Sequence, residues 1–244
     1  MTALPTRRDE AWRYADLKAV AAVWPPAPPQ RVAVPEGAVA EQVVRVASTG
    51  IHDLAVDLAP GARLTLAIVV TAPGYARVAV DVRLARGAHL DLGGILLGAG
   101  DATVELVTAI THAEPGASSS QRVRLVVDDR ATGTYLGRIA VARDAQQTDA
   151  EQSARALVLR RTATANLKPE LEIFADDVKC AHGCTVGELD KAALFYLESR
   201  GIAPADARAL LTRAFVADAL ELLSEGPDRS ALEAETHAWL EART

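Results

Sequence analysis

Glycine recurs every thirteen residues through the middle of the chain, at Gly61, Gly74, Gly87 and Gly100. Each follows a residue suited to a turn, as in Pro60-Gly61, Pro73-Gly74 and Arg86-Gly87. Glycine supplies the positive φ that tight turns demand. Between the glycines apolar residues alternate with others: Leu64, Leu66, Ile68 and Val70; then Val78, Val80, Val82 and Leu84; then Leu90 and Leu92; then Val104 and Leu106. A period of two puts one face of a strand against a core. So regular a beat over about Val32 to Phe174 limits the chain to a stack of near-identical strands, either a β-solenoid or an antiparallel meander. Aromatic residues are only 4% of the chain, and a Val, Leu and Ala core suits a solenoid, which stacks like residues between coils. Periodicity alone leaves both architectures open.

The flanks have other periods. Residues 7–23 read as one short helix with Asp9 as cap and Trp12, Ala15, Ala19 and Val23 along one face. Trp24-Pro25-Pro26-Ala27-Pro28-Pro29 cannot be helix and reads as a stiff extended linker. Looser turns are expected at Pro115-Gly116 and Thr132-Gly133, and Gly116 to Ser120 reads as a flexible loop. After residue 187 the period becomes helical. Asp190 can cap a helix over Lys191–Arg200 that Gly201 closes. Pro204 opens a second helix reaching Leu223, and Pro227-Asp228 opens a third. These helices either cover the open end of the β body or form a docking surface. The organisation expected is an N-terminal helix and linker over 1–30, a β core over 31–187 and a helical domain over 188–244.

Between the two regimes lies Asp176-Asp177-Val178-Lys179-Cys180-Ala181-His182-Gly183-Cys184, with both cysteines of the chain and one of its five histidines. Thiolate and imidazole are the ligands of soft and borderline metals and of iron–sulfur centres. On an extended strand, residues 180, 182 and 184 share a face, though Gly183 is expected to bend the chain. Two or three donors cannot close a tetrahedral site, so a metal here is loosely held, passing through, or completed by another chain. The plainer alternative is two small buried cysteines beside a hydrogen-bonded histidine. A Cys–His nucleophile is disfavoured because no third group stands out to orient the pair. His52, His89, His112 and His237 are scattered singly and read as surface or satisfied residues.

Several classes are argued against. The formal charge of −6 gives no basic footprint for nucleic acid or an anionic membrane. No phosphate loop, dinucleotide fingerprint, nucleophile elbow or H-E-x-x-H motif occurs. The stretch from Met1 to Arg8 lacks the apolar run of a signal peptide, and no apolar run is long enough to span a bilayer. With two cysteines only, a reducing cytosol is the expected compartment.

The segment from Asn166 to Gly187, with its Asp-Asp-Val-Lys-Cys-x-His core, resembles the signature of the SufB/SufD family. Leu194 to Ile202, Ala207 to Phe215, Gly137 to Ala150 and Glu10 to Leu17 resemble other stretches of that family in the same order. The Cys-x-His form favours its SufD branch. The resemblance implies a mainly β chain: a right-handed parallel β-helix with a short N-terminal helix and a C-terminal helical domain. It implies a cytoplasmic, non-enzymatic scaffold for iron–sulfur cluster assembly that pairs with a SufB-like subunit through β-helix strands. It also implies that the helices carry a SufC-like ABC ATPase, for which Leu197, Arg200, Gly201, Ile202, Leu210, Leu211 and Phe215 are the expected contacts. Cys180 and His182 fall on the family's interface cysteine and histidine and are the expected transient ligands of iron or a cluster. Cys184 stands where the family has alanine or threonine and carries no implied role. No tightly bound cofactor is expected. Reduced flavin accompanies the complex in some members, but no flavin motif occurs here. The chain is shorter than the longest members, so fewer coils are expected. A homodimer through the exposed edge is expected when the partner is absent. The alternative function is a purely structural adaptor that presents the ATPase without offering ligands.

Overall fold

The computed structural model describes residues 3–243; Met1 and Thr2, at the start of the stretch read above as lacking a signal peptide, lie outside them. Among the described residues, twelve strands form two parallel six-stranded sheets. Sheet A contains β1 (Gln30–Val34), β3 (Gly50–Leu58), β5 (Tyr75–Leu84), β7 (Thr103–His112), β9 (Thr132–Val141) and β11 (Thr164–Ile173), in that order. Sheet B contains β2 (Val39–Val46), β4 (Arg63–Val70), β6 (His89–Gly98), β8 (Ser118–Val127), β10 (Asp149–Val158) and β12 (Lys179–Gly187). The chain alternates between the sheets at each turn, so every coil contributes one strand to each. This is a parallel β-solenoid, and the meander is ruled out.

The thirteen-residue beat is half a coil. Gly61 to Gly87 spans two beats, the same 26 residues that separate the register partners Arg63 and His89. The coil lengthens along the stack, from 24 residues (Val39 to Arg63) to 32 (Thr132 to Thr164). Gly61, Gly87 and Gly116 all have positive φ, and their turns stack: Gly61 N–H donates to Arg86 O, Gly87 N–H to Pro115 O and Gly116 N–H to Gln146 O. One expected turn, Thr132-Gly133, and most of the loop expected over Gly116 to Ser120 prove to be strand. Only Gly116 turns; Ser118 already opens β8, in register with His89 below and Asp149 above. Gly133 lies inside β9, where Leu125 Cδ2 sits 2.8 Å from the place a Cβ would take. Stacking on both sides has overridden the local turn chemistry.

The alternating residues fill the space between the sheets: Leu64, Leu66, Val78, Val80, Val82, Leu90, Leu92, Val104 and Leu106 are buried together. Fully burying such a side chain is worth about 1.5–3 kcal/mol. The outer faces are covered separately. The N-terminal segment packs on sheet A, where Ala15 and Val20 join Ile51 and Tyr75. It is not one helix. A single 3-10 turn at Glu10–Trp12 precedes α1 (Leu17–Ala22), whose cap is Asp16 rather than Asp9. The Asp9 carboxylate instead accepts from Thr6 N–H at 2.8 Å. Trp12 serves as a lid, with the Arg77 guanidinium 3.8 Å from its ring centroid.

The C-terminal helices are α2 (Lys191–Ser199), α3 (Pro204–Ala217) and α4 (Pro227–Glu241); they start where the capping residues place them, but α3 stops at Ala217, six residues short of Leu223, and the chain continues in turns. They do not cover the end of the solenoid. Val216, Leu220, Leu223, Leu232 and Leu240 pack on Ala67, Val69, Ile95, Leu97, Val126 and Leu157, the outer face of sheet B. Arg124 pins this layer: it is buried on β8 and holds Asp218 at 2.5 Å. The open end, formed by β11 and β12, is left bare.

Candidate functional site

β12 is the last strand of sheet B and, among the described residues, pairs only with β10. Its ladder runs without a break from Asp149↔Lys179 to Leu157↔Gly187. Gly183 therefore does not bend the chain: it keeps the extended register, opposite Ser153. Cys180, His182 and Cys184 lie opposite the buried residues Ala150, Gln152 and Ala154. All three thus occupy the inner face, at the open mouth of the solenoid. Cys180 and Cys184 are half-buried against the last core layers, and His182 is exposed.

Along a strand, alternate Cα atoms are roughly 6.7 Å apart. The strand period sets the three side chains in a row along β12. Among the described residues no group of three or more His, Cys, Asp or Glu converges on a metal position. Asp176 and Asp177 are exposed in the turn before β12. Asp177 is held by its backbone, its N–H donating to Gln146 Oε1 and its carbonyl accepting from Gln147 N–H. Burial pushes both cysteine thiols above their ordinary range, and Asp149 adds to the effect at Cys180. The chain alone thus keeps its thiols protonated, which opposes a nucleophile. A partner's cation or a metal would reverse that shift.

Three of the other four histidines are accounted for locally; His52, half-buried on β3, leaves Nε2 buried without a hydrogen-bond partner among the described residues. His89 bridges Ser118 Oγ and Asp91. His237 pairs with Glu241. His112 is buried on β7 with Nε2 2.9 Å from Ser119 Oγ, and burial pulls its pKa down to about 4.

The residues expected to meet the ATPase fall into two groups. Leu197, Arg200, Gly201 and Ile202 form the end of α2, where Gly201 takes φ +86° and Ile202 N–H donates to Leu197 O. Leu210 is exposed on α3. Leu211 and Phe215 instead face inward and, with Ala156, Leu157, Thr185 and Val186, line a groove of about 310 Å³ between α3 and β12. Sequence reasoning passed over the two most exposed aromatics of the helical layer, Phe195 at 73% and Tyr196 at 56%. Adjacent aromatics on a helix with no buried residue are the signal that would have found them. It also passed over a polar network inside the solenoid: Thr108, Gln121, Tyr135 and Gln152.

Residues 39–215 match a family model described as the SufBD core domain of the SUF system for FeS cluster assembly. The chain is similar to the Escherichia coli iron–sulfur cluster assembly protein SufD, 39% identical over 48% of this chain and 28% of that protein. It is similar to a Synechocystis iron–sulfur cluster assembly SufBD family protein, 42% identical over 46% of this chain and 24% of the relative. Against the Bacillus subtilis SufD protein the identity is 32%, over 57% of this chain and 32% of the relative. The chain spans about a quarter to a third of the length of these curated relatives.

Proposed function

The chain belongs to the SufB/SufD family of the SUF iron–sulfur cluster assembly system, most like SufD, and on that premise we propose that it is a non-catalytic scaffold subunit that supplies half of an assembly site. The observation that carries this is the end of sheet B. β12 offers an unpaired edge, and its inner face bears Cys180 and His182 in a row that cannot enclose a metal alone. A strand from a SufB-like partner laid beside β12 continues the sheet, as exposed edges invite, and brings the missing donors. Iron or the nascent cluster is then the cargo of the shared site. Cys180 and His182 hold it transiently and pass it on.

The helical layer is read as the seat of a SufC-like ABC ATPase. Phe195, Tyr196 and Leu210 are exposed apolar side chains on α2 and α3, and Leu197 and Ile202 at the end of α2 are half-buried. Leu211 and Phe215 sit behind them, against Thr185 and Val186 of β12. Movement of the ATPase thus has a short mechanical route to the strand that carries the ligands. In this reading the described part of 1–30 braces sheet A, 31–187 form the solenoid and the described part of 188–244 forms the docking unit, in the cytoplasm. Any reduced flavin belongs to the assembled complex. Without a SufB-like partner, the same edge pairs with a second copy of the chain.

The test is a pull-down of the intact chain with SufB-like and SufC-like proteins, followed by cluster reconstitution. The reading expects a ternary complex that gains iron and sulfide with Cys180 and His182 intact, and loses them when both are substituted. A complex that assembles and loads clusters equally well without the two side chains would instead make the chain a structural adaptor.

A further inference from the structure

On the inner face of sheet B, one column of register partners runs Gln42, Leu66, Leu92, Gln121, Gln152 and His182. Past Leu92 it is polar as far as the open end. Gln152 is only 1% exposed, directly beneath His182. Its amide orientation is set from below. Thr108 Oγ1 donates to Gln121 Oε1 at 2.9 Å and Tyr135 OH donates to the same oxygen at 3.2 Å. The Tyr135 oxygen is then free to accept from Gln152 Nε2 at 2.8 Å. Gly137 makes room for this bond, because a Cβ there would lie 2.6 Å from Tyr135 Cζ and closer still to Gln152 Nε2. With Nε2 committed to Tyr135, Gln152 Oε1 is a buried acceptor with no partner among the described residues. Buried acceptors find donors in native proteins. Parallel strands place register partners about 4.8 Å apart, so the imidazole of His182 is within a side-chain rotation of that oxygen.

We propose that Gln152 is a positioning residue for His182: its Oε1 accepts a hydrogen bond from one ring N–H and leaves the other ring nitrogen unprotonated and aimed at the interface. This rests on the reading of His182 as a ligand. Metal-binding histidines are held in this way by an outer acceptor that fixes tautomer and ring direction. The polar network of the core thereby reaches the mouth of the solenoid and acts on the cargo site without touching the cargo. The rival donor is Gln121 Nε2, also unpartnered and the register neighbour on the other side of Gln152.

The experiment reads the ring-nitrogen shifts of ¹⁵N-histidine in the intact chain, at a pH where the imidazole is neutral, with His182→Ala assigning the signal. One tautomer is expected for His182 in the native chain, a mixture in Gln152→Met, and one tautomer again in Gln152→Glu, which keeps an acceptor oxygen. A mixture in the native chain needs no variant to interpret: it gives Oε1 to Gln121 and overturns the proposal. So does a Gln152→Met variant, folded by its thermal transition, whose His182 signals match the native ones. In the complex with a SufB-like partner, Gln152→Met should weaken iron binding about 10–100-fold. The two readings fail separately. Intact cluster loading in His182→Ala removes the ligand role and leaves the Gln152 pairing standing, whereas a mixed native tautomer does the reverse.

Discussion

Replacing Gly93 by alanine tests whether the helical layer is clamped to sheet B. Gly93 lies on the outer face of β6, beneath the segment that follows α3. A Cβ there would stand 2.5 Å from Leu222 Cδ2 and closer still to the carbonyl oxygen of Ala219. An ordinary carbon–oxygen approach is about 3.3 Å and a carbon–carbon one about 3.5 Å. Both neighbours must therefore retreat by about 1 Å, and one of them is backbone. Overpacking of this kind costs about 1–3 kcal/mol. The alanine also removes unfolded-state freedom, which returns about 0.4–1 kcal/mol. The net expectation is a loss of about 1.3 kcal/mol, or about 3–5 °C in Tm for a chain of this size. Urea unfolding at 25 °C measures it. Gly183→Ala is the control, since no atom lies within 4 Å of its Cβ position, and its change should stay near 0.5 kcal/mol. A Gly93→Ala protein as stable as the native one would refute the close packing of the helices on this face.

Arg77→Met should cost about 3–5 kcal/mol, because Glu105 is fully buried and Arg77 is its 2.8 Å ion partner; denaturation of the Arg77→Met, Glu105→Leu double variant should recover much of that loss. Stability should also fall as pH drops from about 6.5 to 4. His112 has its pKa pulled down to about 4 in the fold, so the unfolded chain takes up its proton first and gains up to about 3 kcal/mol across that window. Calorimetry of His112→Gln should show that part of the slope gone. Phe195→Asp should leave Tm within about 1 °C, since α2 buries none of its residues, yet should abolish capture of a SufC-like ATPase; undiminished capture would move the docking surface elsewhere.

The solenoid was legible because its core obeys one rule. Leu64 to Val70 and Val78 to Leu84 alternate, and glycine marks each half-coil. What alternation could not separate was parallel from antiparallel, since both bury one face. The place of the helices was written less openly. Ile68-Val69-Val70, Ile95-Leu96-Leu97 and Leu125-Val126-Val127 are apolar on both faces, the mark of strands covered on each side. Those runs foretell a second layer on sheet B, and they were read only as strand. The row of Cys180, His182 and Cys184 followed from strand period, but Gly183 was misjudged because pairing with β10 holds it extended. Gln121, Tyr135 and Gln152 left no local trace. Their partnership joins residues a full coil or half a coil apart, and only the register brings them together.

The central claim is that Cys180 and His182 are half of a shared site. The most direct measurement is the iron and acid-labile sulfide content of the complex with SufB-like and SufC-like partners, purified from cells carrying Cys180→Ser with His182→Ala. The account predicts a complex of native composition that is nearly devoid of cluster. Native iron and sulfide content in that complex would contradict it.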